Sequence, residues 1–333
     1  MKPYLIKPLD IKMNEPLDVD VSGGSRPRIV VRNKQNYHQY FFKTYLHNSR
    51  EIWAEMFASK LGNEIEGYSV QQVSIKEAPP ELEQRFRKEY KDYLPEDWKP
   101  IGAQVDNAFP KGYQVRYAYL VFGLEETESI SFQNVYDTLK RGKYCYSSPD
   151  DLLQSFSNMV VFDAIIGNMD RHLENWGILE DDSLLSGQMV VDPKTMLQGS
   201  AKFTPLFDNG SSCLYELEEK RVEEYLKDFK RFQETYLFGR PYSLLKNSIG
   251  EERNVFDLIK EIFIQASQKH WRPFFKKSIE KILQIDTLNI ARILFKMPKH
   301  KFVDYSETRQ ELLFRSIGAK ISKLESLLQK PSP

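Results

Sequence analysis

Apolar runs in the first third of the chain are short and separated by turn residues. Arg28-Ile-Val-Val-Arg and Tyr40-Phe-Phe-Lys-Thr-Tyr are β-branched or aromatic, and the polar stretch Asn33 to Tyr37 lies between them. The pattern predicts an antiparallel hairpin. Ser49 opens a helix with apolar positions at Trp53, Met56, Phe57 and Leu61, stopping at Gly62. A strand follows near Tyr68 to Lys76, then a loop at Pro79-Pro80. Glu81 to Leu94 is a highly charged helix, Pro95 to Gly112 reads as loop, and Val115 to Phe122 reads as an apolar strand.

The second half is mostly helical. Ser148-Pro-Asp-Asp places acidic residues in the first turn of an apolar helix that runs to about Ile166. Short strands are expected at Trp176 to Leu179 and Ala201 to Phe207. From Arg221 onward the periodicity is helical, as at Val255 to Ala266 and Gln310 to Leu328. No internal repeat is visible. The change from strands to helices puts a lobe boundary near Gly123, dividing the chain into 1–123 and 124–333.

The 333 residues are 41% hydrophobic, 28% charged and 13% aromatic, a globular composition that excludes wholesale disorder. Lys plus Arg and Asp plus Glu both number 47, so no global charge argues for direct nucleic-acid binding. Cys145 and Cys213 are too few for a disulfide scaffold, which points to a reducing compartment. No apolar run approaches the ~20 residues of a membrane span, and the start, Met1-Lys-Pro-Tyr, lacks a signal-peptide core. The expectation is a cytoplasmic protein, with export through an unusual signal left open.

The chemistry concentrates in Gly167-Asn168-Met169-Asp170-Arg171-His172-Leu173-Glu174-Asn175, between an apolar helix and a strand. Asp170 and Asn175 have the D-x-x-x-x-N spacing of a kinase catalytic loop. Phosphoryl transfer requires a carboxylate to orient the attacking hydroxyl and an amide oxygen to ligate Mg²⁺ beside the phosphates. The reading as a polar turn, with Asp and Asn bonding backbone groups, competes with this. A second signal is Pro205-Leu206-Phe207-Asp208-Asn209-Gly210, an aspartate leaving a strand where kinases carry a metal-binding Asp. The Phe precedes the Asp here instead of following it.

These residues resemble the HipA-like kinases. Asn-x-Asp-Arg-His-x-x-Asn is similar to their catalytic loop, although Asp-Arg-His-x-x-Asn also occurs in phosphatidylinositol kinases. The Pro and two apolar residues before Asp208 are similar to the same family's pattern. Ser22-Gly23-Gly24-Ser25-Arg26-Pro27 resembles its Gly-rich loop, which implies that Gly23, Gly24 and Ser25 cover nucleotide phosphates, as glycines let backbone N–H groups approach. The resemblance also makes Ser22 and Ser25 candidates for autophosphorylation.

Lys43 sits inside an aromatic strand and needs a polar partner for its ammonium. A nucleotide phosphate suits it, while an edge-strand lysine that deters aggregation is the plain alternative. Glu51 and Glu55 share a helical face off the apolar stripe, so the pattern leaves both open as the Lys43 carboxylate or as solvated charges. Resemblance to the family's helix favours Glu55. His172 is read as a positioning residue, and Val121 to Glu125 sits where a hinge would read adenine.

Together the order of features implies an α+β, two-lobed, protein-kinase-like fold, with an antiparallel-sheet N-lobe and a mainly helical C-lobe. The expected activity is transfer of the γ-phosphoryl group of Mg²⁺-ATP to a protein Ser or Thr. Asp170 is expected to be catalytic; Asn175 and Asp208 to hold Mg²⁺; and Gly23, Gly24, Ser25, Lys43 and Glu55 to bind ATP. A lipid or small-molecule kinase, a nucleotidyl transferase and an ATP-binding module without turnover remain as alternatives. The resemblance implies an antitoxin-type partner beside the protein substrate. Only about twenty residues precede Gly23, which suggests a short, stand-alone form.

Overall fold

The computed structural model describes residues 28–32, 39–45, 48–106, 113–125, 128–140, 148–181, 201–242, 244–247, 250–297, 303 and 305–329. Ser22, Gly23, Gly24, Ser25 and Cys145 lie outside them. The expected hairpin is β1 (Arg28–Arg32) against β2 (Gln39–Lys43), antiparallel, with Ile29 opposite Phe42. Both of those side chains are buried. With β3 (Val73–Glu77) and β4 (Ile101–Asp106) they form a four-stranded antiparallel sheet in the order β1-β2-β4-β3.

β4 corrects the expectation of a loop from Pro95 to Gly112. Ile101, Ala103 and Val105 are buried, the alternation of a strand with one face on a core. The misleading signal is Gly102, where a Cβ would collide with the Lys43 carbonyl and the Phe42 ring. That glycine permits close backbone approach within a sheet and does not mark a turn.

α1 (Arg50–Asn63) crosses the sheet and also packs against a late helix, α10 (Thr287–Lys296). Enclosed on both sides, it is buried almost all round, and Glu51 and Glu55 are each only 3% exposed. The alternative of two solvated charges is therefore removed. The charged helix is shorter than expected, α2 (Pro80–Glu89), with Leu82 and Phe86 turned inward.

The apolar run after Val115 also divides. β5 (Tyr113–Tyr117) leads directly into a short helix, α3 (Ala118–Phe122), closed by Gly123 at φ 66°. A continuous apolar run does not distinguish strand from helix, and a left-handed glycine favours a helix end. Val121 to Glu125 is thus the end of this helix and the residues beyond it. β5 joins β7 (Gly177–Asp181) and β8 (Lys202–Phe203) in a second sheet, and β6 (Ile130–Ser131) pairs in parallel with β9 (Leu245–Lys246).

The rest is helical. α4 (Phe132–Lys140), α8 (Val255–Ile264), α9 (Arg272–Leu283) and α11 (Glu307–Leu328) surround α5 (Pro149–Ile166). α6 (Glu219–Lys227) and α7 (Phe229–Phe232) follow the second sheet and run into a π turn at Gln233–Leu237. Every residue of α5 from Phe156 to Ile166 is buried, consistent with its apolar sequence. Val70 and Leu206 form a parallel bridge, joining the segment before β3 to the segment that carries Asp208. Among the described residues no helix is long and apolar enough to cross a membrane.

Candidate active site

α5 delivers the Asp170 loop. Gly167 ends the helix at φ 71°, and the N–H groups of Gly167 and Asn168 bond the Asp163 carbonyl at 2.8 and 3.0 Å. Asn168 is buried, and its Oδ1 accepts from the Asp170 N–H at 3.1 Å, an Asx turn that reverses the chain. Asn175 Nδ2 donates to the Asp170 carbonyl at 3.1 Å. Its amide nitrogen is thus engaged by the loop, and the remaining polar atom is the oxygen that a hard cation requires. The Asp170 side chain is exposed. His172 is partly buried beside Glu174, Nδ1 to Oε2 3.7 Å.

Lys43 comes from the end of β2 and is buried. Its Nζ lies 4.0 Å from Glu55 Oε1 and 3.7 Å from Asp208 Oδ1. Three segments distant in sequence therefore meet at one ammonium. Trp98 and Thr44 hold the neighbouring backbone: Trp98 Nε1 donates to Thr44 Oγ1 at 2.7 Å, and that hydroxyl donates to the Ile101 carbonyl at 3.0 Å. Asp208 has φ 54°, a left-handed conformation that aspartate tolerates better than most residues.

Arg171 connects these two halves of the site. Its side chain and that of Asp163 are both 0% exposed. Nε and Nη2 bond the Asp163 carboxylate at 3.0 and 2.8 Å. Nη1 donates to the Asn175 carbonyl at 3.0 Å and to the Phe207 carbonyl at 2.6 Å, while Nη2 reaches Asn209 Oδ1 at 2.7 Å. One guanidinium thus holds the backbone carbonyls of Asn175 and Phe207 and the side chain of Asn209, on either side of Asp208. Burial works against its charge, but the Asp163 carboxylate holds it protonated, above the usual arginine range. Tyr242 completes the cluster with a 2.6 Å hydrogen bond to Asp163 Oδ2, and burial followed by the Asp163 charge pushes its phenol well up.

The C-terminal segment supports the turn after Asp208. Tyr305 stacks on Trp53 of α1, ring centroids 3.4 Å apart, and its hydroxyl donates to the Cys213 carbonyl. Arg309 bonds the carbonyls of Leu214 and Leu217 and the Glu219 carboxylate. Lys320 is buried under the loop and donates to the Ile165 carbonyl at 3.2 Å. Burial lowers its ammonium to about 8 and raises the Cys213 thiol to about 12.

Among the described residues no cluster of three His, Cys, Asp or Glu side chains forms a metal cage. Mg²⁺ bound with a nucleotide does not need one, because it retains waters and uses one or two carboxylates plus phosphate oxygens. The Asp208 carboxylate and the Asn175 amide oxygen, tied together through Arg171, are donors of that kind. The residues present therefore fit Mg²⁺.

No family model matches this sequence, and no curated protein matches it. Solved structures do. The proinflammatory kinase CtkA of Helicobacter pylori is similar over 92% of this chain and 90% of its own, with 17% identity and a TM-score of 0.67. HipA of Shewanella oneidensis MR-1, solved with HipB and operator DNA of a toxin–antitoxin system, is similar over 92% of this chain and 64% of its own, with 13% identity and a TM-score of 0.51.

This chain has a protein-kinase-like fold. It is the α+β arrangement expected from the residue pattern, with antiparallel strands first and helices after them. Of the expected site residues, the structure brings Lys43, Glu55 and Asp208 together, and it joins Asp170 to Asn175. Glu51 is buried on the same helix as Glu55.

Sequence reasoning assigned nothing to Asp163, Arg171 or Tyr242. Asp163 had a signal, since a carboxylate inside an apolar helix needs a buried partner. Tyr242, Tyr305 and Lys320 had none, because their targets are distant backbone atoms or side chains.

Proposed function

We propose that this protein is a Mg²⁺-ATP-dependent kinase that transfers the γ-phosphoryl group to a Ser or Thr hydroxyl of a protein. The observation that carries the reading is Lys43 set between Glu55 and Asp208, with Asp208 tied through Arg171 to the loop of Asp170 and Asn175. In this reading Lys43 binds the α- and β-phosphates and Glu55 holds Lys43 in place. Asn175 and Asp208 hold the metal, which neutralises charge on the transferred group. Asp170 orients the acceptor hydroxyl and takes its proton.

Gly23, Gly24 and Ser25 cover the phosphates, and Ser22 or Ser25 is the site of any autophosphorylation. The lobes divide near Gly123, with ATP bound between them in a cytoplasmic enzyme. The HipB in the HipA complex supports adding an antitoxin-type partner to the reading.

The test is ADP release and intact mass after incubation with Mg²⁺-ATP, beside an Asp170→Ala control. Turnover or phosphate gain in the wild type, lost in the folded control with nucleotide binding retained, is the expected result. A gain of AMP would replace the reading with nucleotidyl transfer, and bound but unreacted ATP would replace it with a binding module.

A further inference from the structure

The Asp170 backbone is held on both sides, by Asn168 Oδ1 at its N–H and by Asn175 Nδ2 at its carbonyl. Its carboxylate projects from the loop and is exposed. Among the described residues one side chain hydrogen-bonds that carboxylate: Ser211, whose Oγ donates to Oδ2 at 3.3 Å.

Ser211 stands on a firm support. It belongs to the turn that begins at Asp208, and its neighbours Asn209, Ser212 and Cys213 are all buried. Asn209 Oδ1 accepts from Arg171, Ser212 Oγ donates to the Asn209 carbonyl at 2.5 Å, and the Cys213 N–H bonds the Ile166 carbonyl at 2.8 Å. The turn is thus anchored to the end of α5, the helix that also launches the Asp170 loop.

We propose that Ser211 is a positioning residue for phosphoryl transfer: its hydroxyl holds Asp170 Oδ2 and leaves Oδ1 to receive the acceptor proton. The proposal deepens the kinase reading and rests on it. A carboxylate on a single-bonded side chain can rotate, and a general base must meet its proton within hydrogen-bond reach. A donor on one oxygen fixes the carboxylate plane. The same contact registers Asp170 against Asp208, three residues before Ser211, so base and metal ligand are set by one rigid turn.

The experiment measures kcat and the KM for ATP in ADP release from Mg²⁺-ATP for wild type, Ser211→Ala and Ser211→Thr, with thermal melts to confirm folding. A hydrogen bond to a charged group corresponds to roughly a ten- to hundredfold fall in kcat when removed. Ser211→Ala is expected to lose that much, with the KM for ATP unchanged. Ser211→Thr keeps the hydroxyl and should restore most of the rate.

Wild-type kcat in Ser211→Ala would overturn the proposal and leave the kinase reading intact. Loss that Ser211→Thr does not restore would also overturn it. So would a phosphate mapped to Ser211, which would make that residue an acceptor. No ADP release from the wild type would remove the kinase reading, and the inference with it.

Discussion

Arg171 and Asp163 form a doubly hydrogen-bonded ion pair with no solvent exposure, 2.8 and 3.0 Å across its two contacts. The pair lies under the loop that carries Asp170 and touches both segments proposed to hold the metal. Losing either partner strands the other charge in the interior. Arg171→Met is therefore expected to cost about 3–5 kcal/mol in urea unfolding, as for other broken buried pairs. Tyr242→Phe removes one hydrogen bond to the same carboxylate and should cost about 1.5–3 kcal/mol. Stability near wild type in Arg171→Met would show that the pair contributes little.

Glu55 and Glu51 are chemically alike and equally buried, so matched substitutions test which one supports Lys43. Glu55→Gln removes the carboxylate 4.0 Å from the Lys43 ammonium. ATP affinity in calorimetry should fall about tenfold, in line with loss of a charged contact. Glu51→Gln should stay within about twofold, inside the ordinary scatter of a substitution away from the ligand. Equal losses in the two variants would end the assignment of Glu55.

Gly102→Ala probes the strand that the residue pattern concealed. The added methyl would press on the Lys43 carbonyl and the Phe42 ring, at the point where β4 passes β2. Overpacking of this kind costs about 1–3 kcal/mol or more. ATP binding should weaken as well, because the displaced backbone is that of Lys43. A variant with unchanged melting temperature and ATP affinity would contradict the close approach.

Lys320 makes stability depend on pH in the alkaline range. Burial lowers its folded pKa to about 8, whereas the unfolded side chain titrates near ~10.4. Below the folded pKa both states hold the proton, and the folded state carries the full cost of a buried charge. Between the two values the unfolded chain binds more protons at this site, so the Lys320 contribution to stability rises with pH, by roughly 3 kcal/mol in all, while the raised Cys213 thiol contributes in the opposite direction. Above the unfolded value the gain is complete. Lys320→Met should lack this rise when urea unfolding is followed against pH. Parallel curves for the two proteins would assign the ammonium an ordinary pKa.

Local features were legible where chemistry and periodicity agree over a few residues. The β1–β2 hairpin, α1 and α5 follow from short apolar runs, a Ser or Ser-Pro start and a glycine stop. Asp170, Asn175 and Asp208 stood out because polar residues of the right type follow apolar elements. β4 was obscured because Gly102 carries the same letter whether it turns a chain or admits a neighbouring backbone. α3 was obscured because an unbroken apolar run has no period to read.

What the sequence determined by itself is the set of local elements, the neutral charge balance and the order of the site residues along the chain. Those properties depend on neighbours within a few positions, where backbone preference and side-chain spacing act directly. Tertiary structure alone decided that Glu55 lies beside Lys43, that Glu51 and Glu55 are both enclosed, and that Arg171 joins Asn175 to the Asp208 turn. It also brought Tyr305, Arg309 and Lys320 from the C-terminal region to the carbonyls beneath the site. Burial and long-range hydrogen bonds arise only when distant segments pack together, and packing gives a buried charge the partner that its own stretch of chain cannot supply.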